Sequence, residues 1–334
     1  MEIRSLPKVE LHLHLDCSLS FDVVRRLRPD VTRETFRTEY LASPKCRDLA
    51  DFLTVPPRSV ALLQSSEALR LATEDLFDQL AGDGVVYAEV RFAPLLHLER
   101  GLGPEQVVET VEGAMAEASA RTGVEGRLIL CTLRHFTEAQ SLETARLAER
   151  FREGRVVALD LAGDEAGYSL DAHVTAFEYA AEHGVHRTAH AGEGAGPASV
   201  WETLERLRPA RIGHGVRSIE DPALLERLKR DDIHLEVCPT CNVQIDLYDT
   251  YADHPIDRLR RAGISVGVNT DARTVPNVTL VEEYERLRET FGWGAEDFLA
   301  VNLDAARVAF LPAPERAVLE ARLQAAYLAA AGAG

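Results

Sequence analysis

The sequence predicts an α/β fold: a (β/α)₈ TIM barrel with a helical insertion after the first strand and closing helices at the C-terminus. Three observations lead there. Short β-rich runs alternate with longer amphipathic stretches, which implies a parallel sheet. Eight such runs occur in the 334 residues, the number that closes a barrel of typically ~250 residues. The runs end in polar or Gly/Pro residues, and strand C-termini are where such barrels carry their chemistry. An open doubly wound sheet competes with this reading. It would bring a Gly-rich phosphate turn after an early strand, and the sequence has none.

The first run is 8-KVELHLHLD. Residues 18–84 follow. They are too long for one crossover helix and are predicted to hold several helices over the barrel mouth, a candidate lid. Within them Phe52, Leu53, Leu62 and Leu63 suit either an apolar lid or ordinary helix core. The remaining runs are 85-VVYAEVRFAP, 126-GRLILCTLR, 155-RVVALDLAG, 185-VHRTAHAGE, 211-RIGHG, 233-IHLEVCPT and 264-ISVGVNTD, rich in Val, Ile and Leu. Between them, 105-EQVVETVEGAMAEASAR, 142-LETARLAERF, 198-ASVWETLERL and 279-TLVEEYERLRETF repeat apolar residues at three- and four-residue spacing. Residues 295–331 read as the closing helices. The chain 1–334 therefore reads as a single barrel domain.

Composition narrows the partners. With 46% hydrophobic and 27% charged residues the chain is not disordered. Against 37 basic residues stand 54 acidic ones, a net charge of −17. A nucleic-acid backbone or an anionic membrane surface needs clustered positive charge, so neither is an expected partner. No apolar run approaches the ~20 residues of a membrane span, and the first residues lack the apolar core of a signal peptide. Cys17, Cys46, Cys131, Cys238 and Cys241 are sparse and odd in number. They read as reduced thiols of a cytoplasmic protein.

The strand ends gather the candidate site. His12 and His14 are two apart on a strand, so both point to one face, here the barrel interior. Neutral imidazole is the commonest protein metal ligand. His190 and Asp271, from the fifth and eighth strands, can complete a set of three nitrogens and one carboxylate oxygen, which suits one catalytic Zn²⁺. A pair of hydrogen-bonded structural histidines is the competing reading of His12 and His14. Glu193, in HAGE, lies close to this set and can carry a proton; otherwise it is a first-turn acid after the fifth strand. His214, between two glycines in IGHG, can approach a ligand closely or be a satisfied core histidine. The segment 234-HLEVCPTC contains H-x-E and C-x-x-C, the pieces of a cytidine-type zinc deaminase. There the proline precedes the first cysteine, whereas Pro239 follows Cys238. His234, Glu236 and Cys238 also share one predicted strand, leaving no helix to present the thiols. Cys238 is expected to be buried and Cys241 to lie near the barrel mouth.

These pieces together resemble the adenosine/AMP deaminase family of metal-dependent barrels, most closely its adenosine deaminase branch. The matching segments are 6-LPKVELHLHLD, 87-YAEVRFAP, 159-LDLAGDE, 189-AHAGE, 212-IGHGVRSIED, the run from 236-EVCPT to Asn242, and 268-VNTD. They keep the family order from residue 6 to about 312. The resemblance implies zinc held by His12, His14, His190 and Asp271. It implies Glu193 as the proton donor to purine N1, and His214 as the group that orients and helps deprotonate the attacking water. Gly163 would offer its N–H to N3 of the base, and Asp16 would bind a ribose hydroxyl. Related adenine deaminases tend to have Glu where this chain has Asp16, so the aspartate leans toward a nucleoside. The implied reaction is hydrolytic deamination of adenosine or 2′-deoxyadenosine to inosine or 2′-deoxyinosine plus ammonia.

Two positions depart from the family pattern. The family usually reads NTDDP, its second aspartate contacting N7, whereas this chain has Ala272 and Arg273. The residue after the HLD aspartate is usually Gly and is here Cys17. Arg273 is a donor that could address N7 or an acidic substituent. It motivates a second reading, deamination of a carboxylate-bearing modified nucleoside such as aminodeoxyfutalosine. A third reading, a different metal-dependent hydrolase, usually wants a bridging lysine; Lys8 is the only one in the early strand runs. Ala272 motivates a fourth, a non-catalytic binding protein on the same fold, which would have no need of a proton carrier beside a metal.

Overall fold

Eight parallel strands pair in sequence order: β1 (Lys8–His14), β2 (Val85–Phe92), β3 (Glu125–Leu133), β4 (Val156–Ala162), β5 (His186–Ala191), β6 (Arg211–His214), β7 (His234–Val237) and β8 (Val266–Val268). Closure runs through Leu13 and Asp271, bridged in parallel. His14 N–H donates to Asp271 O at 2.7 Å, and Asp271 N–H to His12 O at 3.1 Å. The (β/α)₈ expectation holds. The computed structural model describes residues 2–332.

The helices form where the sequence supplies caps. Ser20, Thr32, Asp48 and Ser65 accept first-turn N–H groups of Phe21–Leu27, Arg33–Glu39, Leu49–Phe52 and Ser66–Gly82. Thr137 with Gln140, and Thr279 with Glu282, form capping boxes for Glu138–Arg150 and Leu280–Phe291. Several helices were expected in the insertion, and it holds five, Pro56–Leu62 among them. Ser66–Gly82 is the β1–β2 crossover, whereas Leu49–Phe52 and Pro56–Leu62 roof the mouth. Phe52 and Leu53 face the cavity, while Leu63 is wholly buried in the main core. Ala295–Val308 and Ala313–Gly332 are the closing helices.

One expectation fails locally. A short helix, Pro239–Gln244, directly follows β7 and carries Cys241. The strand stops at Val237, because Pro239 takes the first helical position, where its missing N–H costs nothing.

The barrel interior is ionic. Arg91 donates to Asp160 (3.1 Å) and Glu236 (2.6 Å), and Arg211 donates to Glu236 (2.7 Å) and to Glu89. These residues sit on β2, β4, β6 and β7, so their contacts run across the interior, and all are buried. Below them the Phe310 ring lies 3.7 Å from the Arg211 guanidinium carbon, and Val308 O accepts from Arg211 at 2.9 Å. Lys8, at the opposite end of β1 from the histidines, donates to Ile3 O, Leu6 O and Asp83 O at 2.7–2.8 Å. All three ammonium donors are used to seal the barrel floor, which removes the bridging-lysine reading.

Candidate metal centre and substrate cavity

His12 and His14 leave β1, His190 leaves β5, His214 ends β6 and Asp271 follows β8. Both His214 (φ 59°) and Asp271 (φ 65°) are left-handed, a conformation that non-glycine residues adopt rarely and that concentrates at functional sites. Gly213 is required beside His214: a Cβ there would lie 2.9 Å from His12 Cε1. The first glycine of IGHG thus makes room for the neighbouring imidazole.

The imidazoles are oriented from below by carboxylates. His12 Nδ1 is 3.0 Å from Glu236 and His190 Nδ1 is 3.2 Å from Asp160. A carboxylate only accepts, so both Nδ1 atoms carry protons; in the neutral rings, the form that binds a metal, both Nε2 atoms present lone pairs. Those lone pairs converge. His190 Nε2 lies 3.3 Å from His14 Nε2, and Asp271 Oδ1 lies 3.1 Å from His12 Nε2 and 3.6 Å from His14 Nε2. His12 Nε2 is fully buried and makes no hydrogen bond. Burial pushes His14 down to about 4, so its ring is neutral. Lone pairs facing a shared point beside a carboxylate are what a cation would satisfy, and the donor set fits a metal. His12, His190, His214 and Asp271 also offer ligand atoms all within 4.8 Å of one another, so five groups compete for the centre.

Glu193 is buried at its edge, Oε2 3.4 Å from His214 Nε2. Burial, with the Asp271 and Glu165 charges adding to it, pushes its carboxyl well above the usual range, which favours its protonated form. Glu165 fixes the loop, accepting from the N–H groups of Gly192, Glu193 and Ala195 at 2.7–3.0 Å.

Above the centre lies a cavity of about 530 Å³, within the usual range for small-molecule sites. Asp16, Gly163, Glu193 and His214 all face it. Cys17 and Ala272 line it as well, with Phe52 and Leu53 above. Among the described residues no Lys or Arg lines it. Gly163 sits at φ 103°, a conformation reserved for glycine.

Arg273 is not in the wall, and the expectation that it addresses substrate is corrected. Its guanidinium is buried between Glu10 (2.9 Å) and Asp83 (2.7 Å), tying β1 to the end of the Ser66–Gly82 helix. We expect Arg273→Gln to lower stability by about 3–5 kcal/mol, because two buried carboxylates lose their partner, and to leave KM unchanged. A large KM change in a folded variant would return Arg273 to the site.

Sequence reading missed several participants. Asp160 was given no role, and Glu236 entered only as the acid of the rejected H-x-E motif and within a matching segment. Cys241 lies near the mouth as expected, but its contacts were not foreseen: its Sγ is 3.0 Å from Asp271 Oδ2 and 3.9 Å from Glu193 Oε1. Asn242 contacts His214 Nδ1 at 3.1 Å. The available signal was the placement of charges inside otherwise apolar strands.

A parallel barrel with histidines and an aspartate converging at its C-terminal mouth defines a metal-dependent hydrolase. More particularly, the chain belongs to the adenosine deaminase family, whose model, described as adenosine deaminase, matches residues 7–326; it is a hydrolytic deaminase. It is 37% identical to adenosine deaminase 1 of Streptomyces coelicolor, over 94% of this chain and 85% of that one. It is 34% identical to adenosine deaminase of Clostridium acetobutylicum, over 90% and 92%. Among solved structures it resembles adenine deaminase of Arthrobacter aurescens, with a TM-score of 0.88 and 28% identity over 96% and 98% of the two chains. No helix among the described residues is long and apolar enough to cross a membrane.

Proposed function

We propose that this protein, a single domain acting in the cytoplasm, deaminates adenosine and 2′-deoxyadenosine, using one zinc ion held by His12, His14, His190 and Asp271. The observation that carries the reading is a buried Glu193, its carboxyl favoured in the protonated form by that burial, beside converging ligand atoms, under a cavity that no Lys or Arg among the described residues lines. The bound zinc would supply a Lewis acid that lowers the pKa of water toward ~7. Glu193 donates its proton to N1 of the base, drawing electrons from the ring and making C6 open to attack. His214 orients the water. The water oxygen becomes the C6 carbonyl oxygen and the C6–N bond breaks. Across the reaction, its two protons restore Glu193 and convert the leaving amino group to ammonia. Asp16 is assigned to a ribose hydroxyl and the Gly163 N–H to N3.

The cavity walls favour an uncharged nucleoside. Asp16, Glu99, Asp164 and Asp271 line the cavity, and among the described residues no Lys or Arg does. A phosphate or carboxylate entering it would be desolvated against acids, with no guanidinium or ammonium among the described lining residues to compensate. The carboxylate-bearing nucleoside thus loses the feature that motivated it, since Arg273 is committed elsewhere. Ammonia release by zinc-loaded protein is expected to favour adenosine over AMP by at least ~10²-fold in kcat/KM, like charges juxtaposed in binding costing several kcal/mol. AMP or aminodeoxyfutalosine as the better substrate would overturn this reading.

A further inference from the structure

The hydrogen bonds behind His214 fix more than its position. His254, in the loop after Tyr251–Asp253, is buried, and its Nδ1 lies 3.2 Å from the backbone N–H of Ile256. A backbone N–H can only donate, so His254 Nδ1 is unprotonated. Burial, with Arg258 nearby, holds this imidazole down to about 3 and therefore neutral. Its one ring proton must then sit on Nε2, which is 3.2 Å from Asn242 Oδ1. The amide is oriented by that contact: its oxygen accepts from His254, and its NH₂ group faces His214 Nδ1 at 3.1 Å. An NH₂ group is a donor, so His214 Nδ1 carries a lone pair. Any proton on His214 is on Nε2, the nitrogen facing Glu193 Oε2 at 3.4 Å.

We propose that His254 and Asn242 are positioning residues that fix the tautomer of His214, placing its ring proton on Nε2 toward the reacting centre. The polarity is opposite to that of His12 and His190. Their Nδ1 atoms meet carboxylates and their lone pairs face the centre; His214 meets an amide donor and its N–H faces the centre. This separates the five groups of the cluster: His214 is not a ligand, although its Nε2 is close enough to be one. It also sets the role of His214 in the proposed reaction, on which this inference rests. With Nε2 already protonated, the ring holds the water oxygen by donating to it, and cannot accept a proton from it at that nitrogen. The direction of the whole chain is set by one backbone donor, Ile256 N–H.

The test uses zinc-loaded protein labelled with ¹⁵N at histidine. Long-range ¹H–¹⁵N correlations identify which ring nitrogen carries the proton, and loss of one spin system in a His214→Asn variant assigns His214. The expected result is the Nε2–H tautomer. Asn242→Asp replaces the NH₂ donor with an acceptor of the same shape; it is expected to move the His214 proton to Nδ1 and lower kcat at least tenfold with zinc content unchanged. If that variant does not fold, His254→Leu removes the group that orients the amide, and His254→Gln restores a donor to Asn242 Oδ1. Leu is then expected to give mixed tautomers and reduced kcat, and Gln to recover both. A Nδ1–H tautomer in the wild-type protein overturns the proposal. So does a tautomer unchanged by Asn242→Asp or, should that variant not fold, by His254→Leu. Failure of the substrate assignment is read separately: it removes adenosine turnover without altering the tautomer.

Discussion

Glu193→Gln is expected to reduce adenosine turnover by about 10²–10⁴-fold, the range that positioned proton transfer contributes, while metal content stays at one zinc per chain. The substitution keeps shape and removes only the transferable proton. Glu193 contacts His214 and the Cys241 thiol, and it is absent from the set whose lone pairs face the centre. Losing its proton therefore need not disturb the ligands. KM should change little, because the ring is activated only as N1 gains its proton, an interaction made in the transition state. Metal analysis alongside steady-state kinetics separates the outcomes. Unchanged turnover in a metal-replete variant would remove Glu193 from the mechanism. Lost turnover with lost zinc would place it among the ligands instead.

The sequence made legible what is periodic or terminal. Each β-rich run became a strand, and His12, His14, His190, Glu193, His214 and Asp271 meet at one mouth because strand C-termini share one end of a parallel barrel. What stayed hidden was the set of contacts across the interior. Glu89, Arg91, Asp160, Arg211 and Glu236 are isolated charges within Val/Leu-rich runs. Period two alone cannot tell an inward charge from an outward one when both faces of the sheet are covered. Arg273 was misread for a related reason. It directly follows Asp271 and Ala272, yet neighbours in sequence leave a turn in different directions, and Glu10 and Asp83 come from parts of the chain that no local pattern connects. Cys241 and Asn242 were obscured by an unrecognised helix, since the proline that starts it also resembled a strand end.

The interior network makes a second large effect predictable. Glu236→Gln is expected to weaken zinc binding about 10–100-fold and to lower stability by about 3–5 kcal/mol. Glu236 accepts from His12 Nδ1 (3.0 Å), Arg91 (2.6 Å), Arg211 (2.7 Å) and Thr188 (3.2 Å). A neutral amide cannot balance two buried guanidinium groups, and its NH₂ would face donors. With the wrong end turned to His12, the ring proton shifts to Nε2 and the ligand lone pair turns away from the metal. Burial alone would raise the Glu236 pKa, but Arg91 and Arg211 more than offset it and hold the carboxyl well below its ordinary value. The contribution is therefore complete above the unfolded carboxyl pKa of ~4.3 and is lost as pH falls through the depressed folded value. The gap in thermal midpoint between wild type and variant should be full at neutral pH and close in acid. Chelator-driven zinc release gives the affinity change without reference to activity. A variant that keeps its midpoint and its zinc would mean that Arg91 and Arg211 are balanced by Glu89 and Asp160 alone. The carboxylate beneath His12 would then orient nothing.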